Sequence, residues 1–148
     1  MSRRLLLIVL AVVAFLVVSL LLGRWLTVES SERNGVTALL EAQARGDAAG
    51  MLAHLDGCAQ RPVCAELVRR DARELKASGD PEIEIIAYDS ATRYAIGGAT
   101  GDTRVVWHVA GGLPTVQCVA VERTGSLLSG VSVSLKALSG PIRRTAGC

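Results

Sequence analysis

The chain has 148 residues, half of them hydrophobic and only 3% aromatic, and it carries a formal net charge of +2. This length fits one domain plus an appendage, because compact domains usually have about 100 to 150 residues. Arg3 and Arg4 account for the surplus charge, so the rest of the chain is neutral. Neutrality argues against non-specific nucleic-acid binding, which needs an excess of Lys and Arg. The high hydrophobicity argues against disorder.

A block of apolar residues opens the sequence: from Leu5 to Leu22, only Ser19 is polar. At about 1.5 Å per residue, a helix of this length spans nearly the roughly 30 Å hydrocarbon core of a bilayer. The sequence therefore predicts a transmembrane helix over residues 5–22. A cleaved signal peptide is the alternative, but no site of the Ala-x-Ala type follows the block, which favours an uncleaved anchor.

The charges beside the block predict its orientation. Arg3 and Arg4 hold residues 1–4 in the cytoplasm by the positive-inside rule, and Trp25 suits the opposite headgroup zone. We therefore expect a single-pass protein of the cytoplasmic membrane, with its N-terminus inside and its C-terminal domain outside.

Helical patterns follow the block. Residues 23–35 are interpreted as a polar juxtamembrane connector with a break at Asn34-Gly35, and residues 36–148 as the extracytoplasmic domain. An apolar stripe from Val36 predicts a helix that stops at Gly46, a residue suited to a left-handed helix end. Asp47 is the predicted cap of a second, short helix. A third helix is predicted from about Pro62 to the Ser78-Gly79 break.

Four cysteines in an exported domain normally form a disulfide framework, for which three connectivities are possible. Local pairing is the favoured one: Cys58 with Cys64, and Cys118 with Cys148. A zinc site is the alternative, but the chain has no CxxC pair, and its histidines lie far from both cysteine pairs in sequence.

The hydrophobic period changes from 3.6 to 2 after the third helix, which predicts strands. The predicted strands cover residues 82–89, 94–100, 103–110, 115–123 and 130–138, with a tight turn at Gly101-Asp102 and another around Thr124-Gly125-Ser126. Helices followed by an antiparallel sheet make an α+β fold. We expect two to three short helices and an antiparallel sheet of four to five strands.

Two groups of side chains are candidate binding residues. Arg104 and His108 share one face of a predicted strand, and with Trp107 they would be prominent in any ligand pocket between sheet and helices. The third helix carries a basic cluster that is a candidate partner-binding face or a solvated, salt-bridged surface. This cluster consists of Arg69, Arg70, Arg73 and Lys76.

No catalytic signature accompanies these residues. The segment around Gly97-Gly98 lacks the lysine of a phosphate loop, and no serine lies in a Gly-x-Ser-x-Gly elbow. We therefore predict no catalytic residue, no metal and no cofactor, and we lean towards a protein that is not an enzyme.

Residues Leu40 to Leu55, with the Gly46-Asp47-Ala48 step between two helices, resemble the opening of an NTF2-like (SnoaL-like, cystatin-type) domain. The run from Val119 to Gly125, leading into Val131-Ser132-Val133, is similar to the closing hairpin of that family. An N-terminal membrane helix that carries such a domain also resembles the bitopic Mce-associated proteins and the VirB8-type components of secretion machines.

The resemblance implies that the short helices pack on a curved antiparallel sheet. It also implies a scaffolding or binding module, in contact with a protein partner in the cell envelope. The enzymatic members use an Asp-His pair that has no match here, so no catalytic role is carried over. A small-ligand-binding or enzymatic domain with a pocket between sheet and helices is the alternative function.

Overall fold

The computed structural model describes residues 3–93, 95, 97–126 and 129–148, without the side chain of Trp25. In this part of the chain the elements are α1 (Arg3–Arg45), α2 (Ala48–His54), α3 (Pro62–Glu74), β1 (Ile83–Asp89), β2 (Ala99–Val109), β3 (Thr115–Ser126) and β4 (Gly130–Leu138). The strands form one antiparallel sheet in the order β1-β2-β3-β4. The prediction of an α+β protein with a long apolar N-terminal helix is thereby confirmed.

Helix α1 is a single helix of 43 residues. The predicted break at Asn34-Gly35 is wrong, because the helix passes through both residues. A glycine inside a helix costs only about 1 kcal/mol relative to alanine. The side chains of Val36, Leu39 and Leu40, fully buried in the next turns, outweigh that cost.

The predicted connection between α1 and α2 is confirmed in detail. Gly46 ends α1 with φ at 75°, and the amide of Asp47 donates to the carbonyl of Ala42 at 2.8 Å, a Schellman arrangement. The carboxylate of Asp47 then accepts from the amide of Gly50 at 2.8 Å and caps α2.

The predicted tight turn at Gly101-Asp102 is wrong, because β2 runs through both residues. Gly101 pairs with Val121 and Asp102 with Ala120 of β3. A Cβ atom on Gly101 would lie 2.7 Å from the Cβ of Ala91. The glycine therefore permits a close approach of the chain, not a turn.

The strand predicted over residues 94–100 lies partly outside the described residues, which leave out Tyr94 and Ile96. Its last two residues begin β2. The predicted turn around Thr124-Gly125-Ser126 is displaced, because these residues belong to β3 and Ser126 pairs with Gly130. Leu127 and Leu128, between those partners, lie outside the described residues.

The hydrophobic core contains residues from the C-terminal half of α1, from α2 and α3, and from the inner face of the sheet. Its largest fully buried apolar side chains are Leu39, Leu40, Met51, Leu55 and Leu138. The segment 5–22 lies outside this core, with exposed apolar side chains, and α1 is long and apolar enough there to cross a membrane.

The four cysteines form two disulfides among the described residues. Cys58 pairs with Cys64 across the loop before α3, and Cys118 of β3 pairs with Cys148. The second bridge fastens the C-terminal segment to the outer face of the sheet. Ile142 extends this attachment, because its amide donates to the carbonyl of Val116 at 2.8 Å.

Candidate functional site

A buried carboxylate lies where α1 meets the sheet. Glu32 is ten residues beyond Leu22 in sequence, and its side chain is fully buried. Of the buried charged residues that the structure describes, Glu32 is the nearest in sequence to the predicted membrane boundary at Leu22. The groups around this carboxylate therefore determine how the helix is attached to the sheet.

Arg123 of β3 is the ionic partner of Glu32, and only 2% of its side chain is exposed. Its Nε and one terminal nitrogen donate to the same carboxylate oxygen, at 3.1 and 2.5 Å. A guanidinium that donates two hydrogen bonds from a planar fork fixes direction as well as distance.

Three hydroxyl groups complete the surroundings of the carboxylate. Tyr88 and Thr103 donate to Oε1, each at 2.8 Å, and Thr92 donates to Oε2 at 2.9 Å. The carboxylate of Glu32 thus accepts from β1, β2, β3 and the β1–β2 connection. We call Glu32, Arg123, Tyr88, Thr92 and Thr103 the Glu32 cluster.

Two opposing effects act on the pKa of Glu32. Burial is the largest and raises the pKa, but the donors Arg123, Tyr88, Thr103 and Thr92 together outweigh it, so the pKa lies below its ordinary value. Burial and the neighbouring Glu32 carboxylate raise the pKa of the Tyr88 phenol. The cluster therefore contains an ionised carboxylate and a neutral phenol.

Every acceptor direction of the Glu32 carboxylate is in use, so it is poorly suited to act as a base or to bind a further group. The carboxylate instead has a structural role: its five hydrogen bonds attach α1 to the sheet and to the β1–β2 connection. A partly exposed pair between Glu29 and Arg93, with 3.2 Å between nitrogen and oxygen, lies about one helical turn nearer the apolar segment of α1.

Sequence reasoning missed this cluster because it placed Glu32 in a polar connector. A signal was present on both partners. Glu32 precedes Val36 and Leu39 by four and seven residues, so it shares their helix face. Arg123 alternates with Val119 and Val121, so it shares their strand face.

The structure does not bring the three predicted pocket residues together. Trp107 is buried on the inner face, where its indole nitrogen donates to Gln117 at 2.8 Å. His108 and Arg104 are on the outer face. His108 Nε2 lies 3.0 Å from a carboxylate oxygen of Glu84, beside an open depression of about 340 Å³.

Arg104 holds the C-terminal segment. Its guanidinium donates to the carbonyl of Ala146 at 3.2 Å and to that of Arg144 at 2.5 Å. This hydrogen bonding and the Cys118–Cys148 bridge secure the same part of the chain, so Arg104 has a structural partner where the sequence suggested a ligand.

The basic cluster on α3 is exposed but partly neutralised. Glu66 lies 3.6 Å from Arg69 and 3.8 Å from Arg73. Arg70 lies 3.6 Å from a carboxylate oxygen of Asp71, which is buried and accepts no hydrogen bond among the described residues. Lys76 lies beyond the last residue of α3, and its side chain lies near Gly46 at the end of α1.

Among the described residues, no three His, Cys, Asp or Glu side chains are arranged to hold a metal ion. Comparison of the chain with protein-family models, curated proteins and solved structures finds no match. The resemblance to NTF2-like domains and to bitopic envelope proteins therefore stays a prediction from the sequence pattern.

Proposed function

We propose that this protein is a single-pass membrane protein that holds a binding domain at a fixed height and orientation outside the cytoplasmic membrane. Its work there is to bind a protein of the cell envelope as a scaffolding module, without catalysis. One observation carries the proposal: the helix that leaves the apolar segment continues unbroken into the domain, where the Glu32 cluster fastens it to the sheet.

Rigid attachment is unusual for a domain that is merely tethered. A flexible linker lets a domain sample many distances from the membrane, whereas a helix keeps a rise of about 1.5 Å per residue. Between Leu22 and Glu32 the helix thus sets a spacing of about 15 Å. A fixed spacing is useful to a module that must meet a neighbouring component at one level.

The two disulfides support the location outside the cytoplasm. Disulfides persist in oxidising compartments and are rare in the cytosol. The proposed orientation of the membrane helix follows from the positive-inside rule, with Arg3 and Arg4 on the cytoplasmic side.

The most suitable contact surface is the start of α3. Val63 is 85% exposed, and with Pro62 and Leu67 it borders a shallow apolar groove that also includes Arg70 and Glu66. The Cys58–Cys64 bridge holds the preceding loop in place. The groove fits a protein segment that offers an apolar side chain beside a carboxylate, since Arg70 lies at its rim.

A cross-linking experiment in native membranes tests this function. A photoreactive amino acid at position 67, in the groove, should capture one defined envelope protein. The substitution Val63→Glu should abolish that product, because it places a carboxylate in an apolar contact. The matched control is Leu113→Glu, at a position that is 86% exposed on the β2–β3 connection, and it should leave the product unchanged.

Equal loss in both variants, or no protein product at all, would contradict a binding role for this face. Retention of a small molecule by the purified full chain, without any protein partner, would favour the ligand-binding alternative. Orientation is tested separately: an epitope at the N-terminus should be reached by antibody only after the membrane is permeabilised, and one at Gly111-Gly112 without it.

A further inference from the structure

A cleft lies between α1 and the start of β4, at the level where α1 leaves the apolar segment. Its volume is about 430 Å³, within the range of roughly 300 to 1,000 Å³ that is usual for small-molecule sites. Its walls are formed by Ser19, Leu20, Gly23, Arg24, Thr27 and Val28 of α1, and by Gly130 and Val131 of β4. One side of the cleft therefore belongs to the predicted membrane span and the other to the domain.

The α1 residues of this wall form a single helix face. Positions 20, 23, 24, 27 and 28 follow the i, i+3, i+4, i+7, i+8 spacing. Thr27 uses its hydroxyl within the helix, where it donates to the carbonyl of Gly23 at 2.9 Å. The helix side of the lining is therefore mostly apolar apart from the hydroxyl group of Ser19, and Arg24 adds the one charge found among the described lining residues.

Two of the lining residues, Gly23 and Gly130, border open space. A Cβ atom added to Gly23 or to Gly130 would have no heavy atom within 4 Å, apart from its own neighbours in the chain. The space beside both residues is therefore unfilled by protein. An apolar space of this kind at a bilayer surface is adjacent to lipid on its membrane side.

We propose that this cleft binds one glycerophospholipid of the outer leaflet. An acyl chain lies along Leu20 and Gly23 on the membrane side of the cleft, and the phosphate lies beside Arg24, whose guanidinium suits phosphate oxygens. Val28 and Val131 form the wall on the outer side of the phosphate. Depth agrees with this arrangement: Arg24 is two residues beyond Leu22, about 3 Å along the helix, in the headgroup zone. No described lining residue is acidic, so the phosphate meets no like charge in the lining.

The inference rests on the membrane anchor proposed above. The test uses the full chain in nanodiscs made of equal parts of phosphatidylglycerol and phosphatidylcholine. Native mass spectrometry of the protein released from the discs should show one retained phospholipid. A phosphatidylglycerol with a photoreactive acyl chain should label peptides from the start of β4, which lipids on the outer side of the helix do not reach.

Val28→Trp fills the cleft and should lower lipid retention at least tenfold, together with the labelling of β4. Arg24→Gln should lower retention by a similar factor. The matched control is Leu26→Trp, because Leu26 is 56% exposed on another face of the same helix at the same depth. It should keep the bound lipid.

Equal retention in the Val28→Trp and Leu26→Trp proteins would overturn the site, and so would labelling confined to α1 or the recovery of a protein segment in the cleft. Failure of the anchor is distinguishable from failure of the site. A chain that does not enter the discs contradicts the anchor, whereas a chain that enters them without retaining lipid contradicts only the lipid site.

Discussion

Removal of the charge on Glu32 is expected to destabilise the domain severely. Glu32→Gln keeps the side-chain size but leaves the guanidinium of Arg123, which is 2% exposed, without a counter-charge. Loss of one partner of a buried ion pair usually costs about 3–5 kcal/mol. Because domains have about 5–15 kcal/mol of stability in total, about a fifth or more of it is at risk.

The measurement is urea unfolding of the full chain in non-ionic micelles, followed by the fluorescence of buried Trp107. A Trp25→Phe background removes the second tryptophan of the chain. Glu29→Gln is the control, since the Glu29–Arg93 pair is partly exposed, and a pair of that kind contributes about 0–1 kcal/mol.

A double-mutant cycle isolates the ion pair from its hydroxyl neighbours. Arg123→Met alone should also be strongly destabilising, because it leaves the carboxylate buried with hydroxyl donors only. The combined Glu32→Gln and Arg123→Met protein should be more stable than the sum of the two losses predicts, with a coupling of about 1–3 kcal/mol. Additive losses, or a Glu32→Gln effect no larger than that of Glu29→Gln, would refute the reasoning.

Three further outcomes are expected. Burial raises the pKa of Asp71, so the folded state holds the proton more tightly and stability falls as the pH rises through that pKa. Asp71→Asn should therefore raise the unfolding midpoint at pH 7, and the gain should vanish near pH 4 in a pH series. Cys148→Ser opens a bridge with a sequence separation of 30 and should cost about 4 kcal/mol, measured by the same unfolding assay; a cost under 1 kcal/mol would contradict the model of loop closure. Gly35→Ala should stabilise by about 0.5–1 kcal/mol, because its Cβ would meet Leu135 at an ordinary 3.6 Å; a lower unfolding midpoint would contradict the continuous helix.

The sequence predicted features that depend on local chemistry. The Gly46 helix end and the Asp47 cap follow from backbone requirements of single residues, and the structure contains both. The two cysteine pairings follow from proximity along the chain, and the structure contains both of these too. In each case the deciding interaction lies within a few tens of residues.

Features that depend on distant partners were not predicted. Asn34-Gly35 has weak helix propensity, and only the packing of α1 against the sheet keeps the helix continuous there. The sequence around Glu32 is typical of a solvated segment, and its ionic partner Arg123 is 91 residues away. The burial of Asp71 has a local signal, because its spacing from Val68 and Leu75 places it on the buried side of α3, but the sequence does not show that its carboxyl group accepts no hydrogen bond among the described residues.

The separation of Glu32 and Arg123 also has a consequence for biosynthesis. At roughly 5 to 20 residues per second, several seconds pass between the synthesis of the two side chains. During that time Glu32 has been made, but β3 does not yet exist. The attachment of α1 to the sheet through Arg123 can therefore form only after β3 has been translated, whichever strands pair before it. Until then the face of α1 around Glu32 lacks the ionic partner that it has in the folded domain.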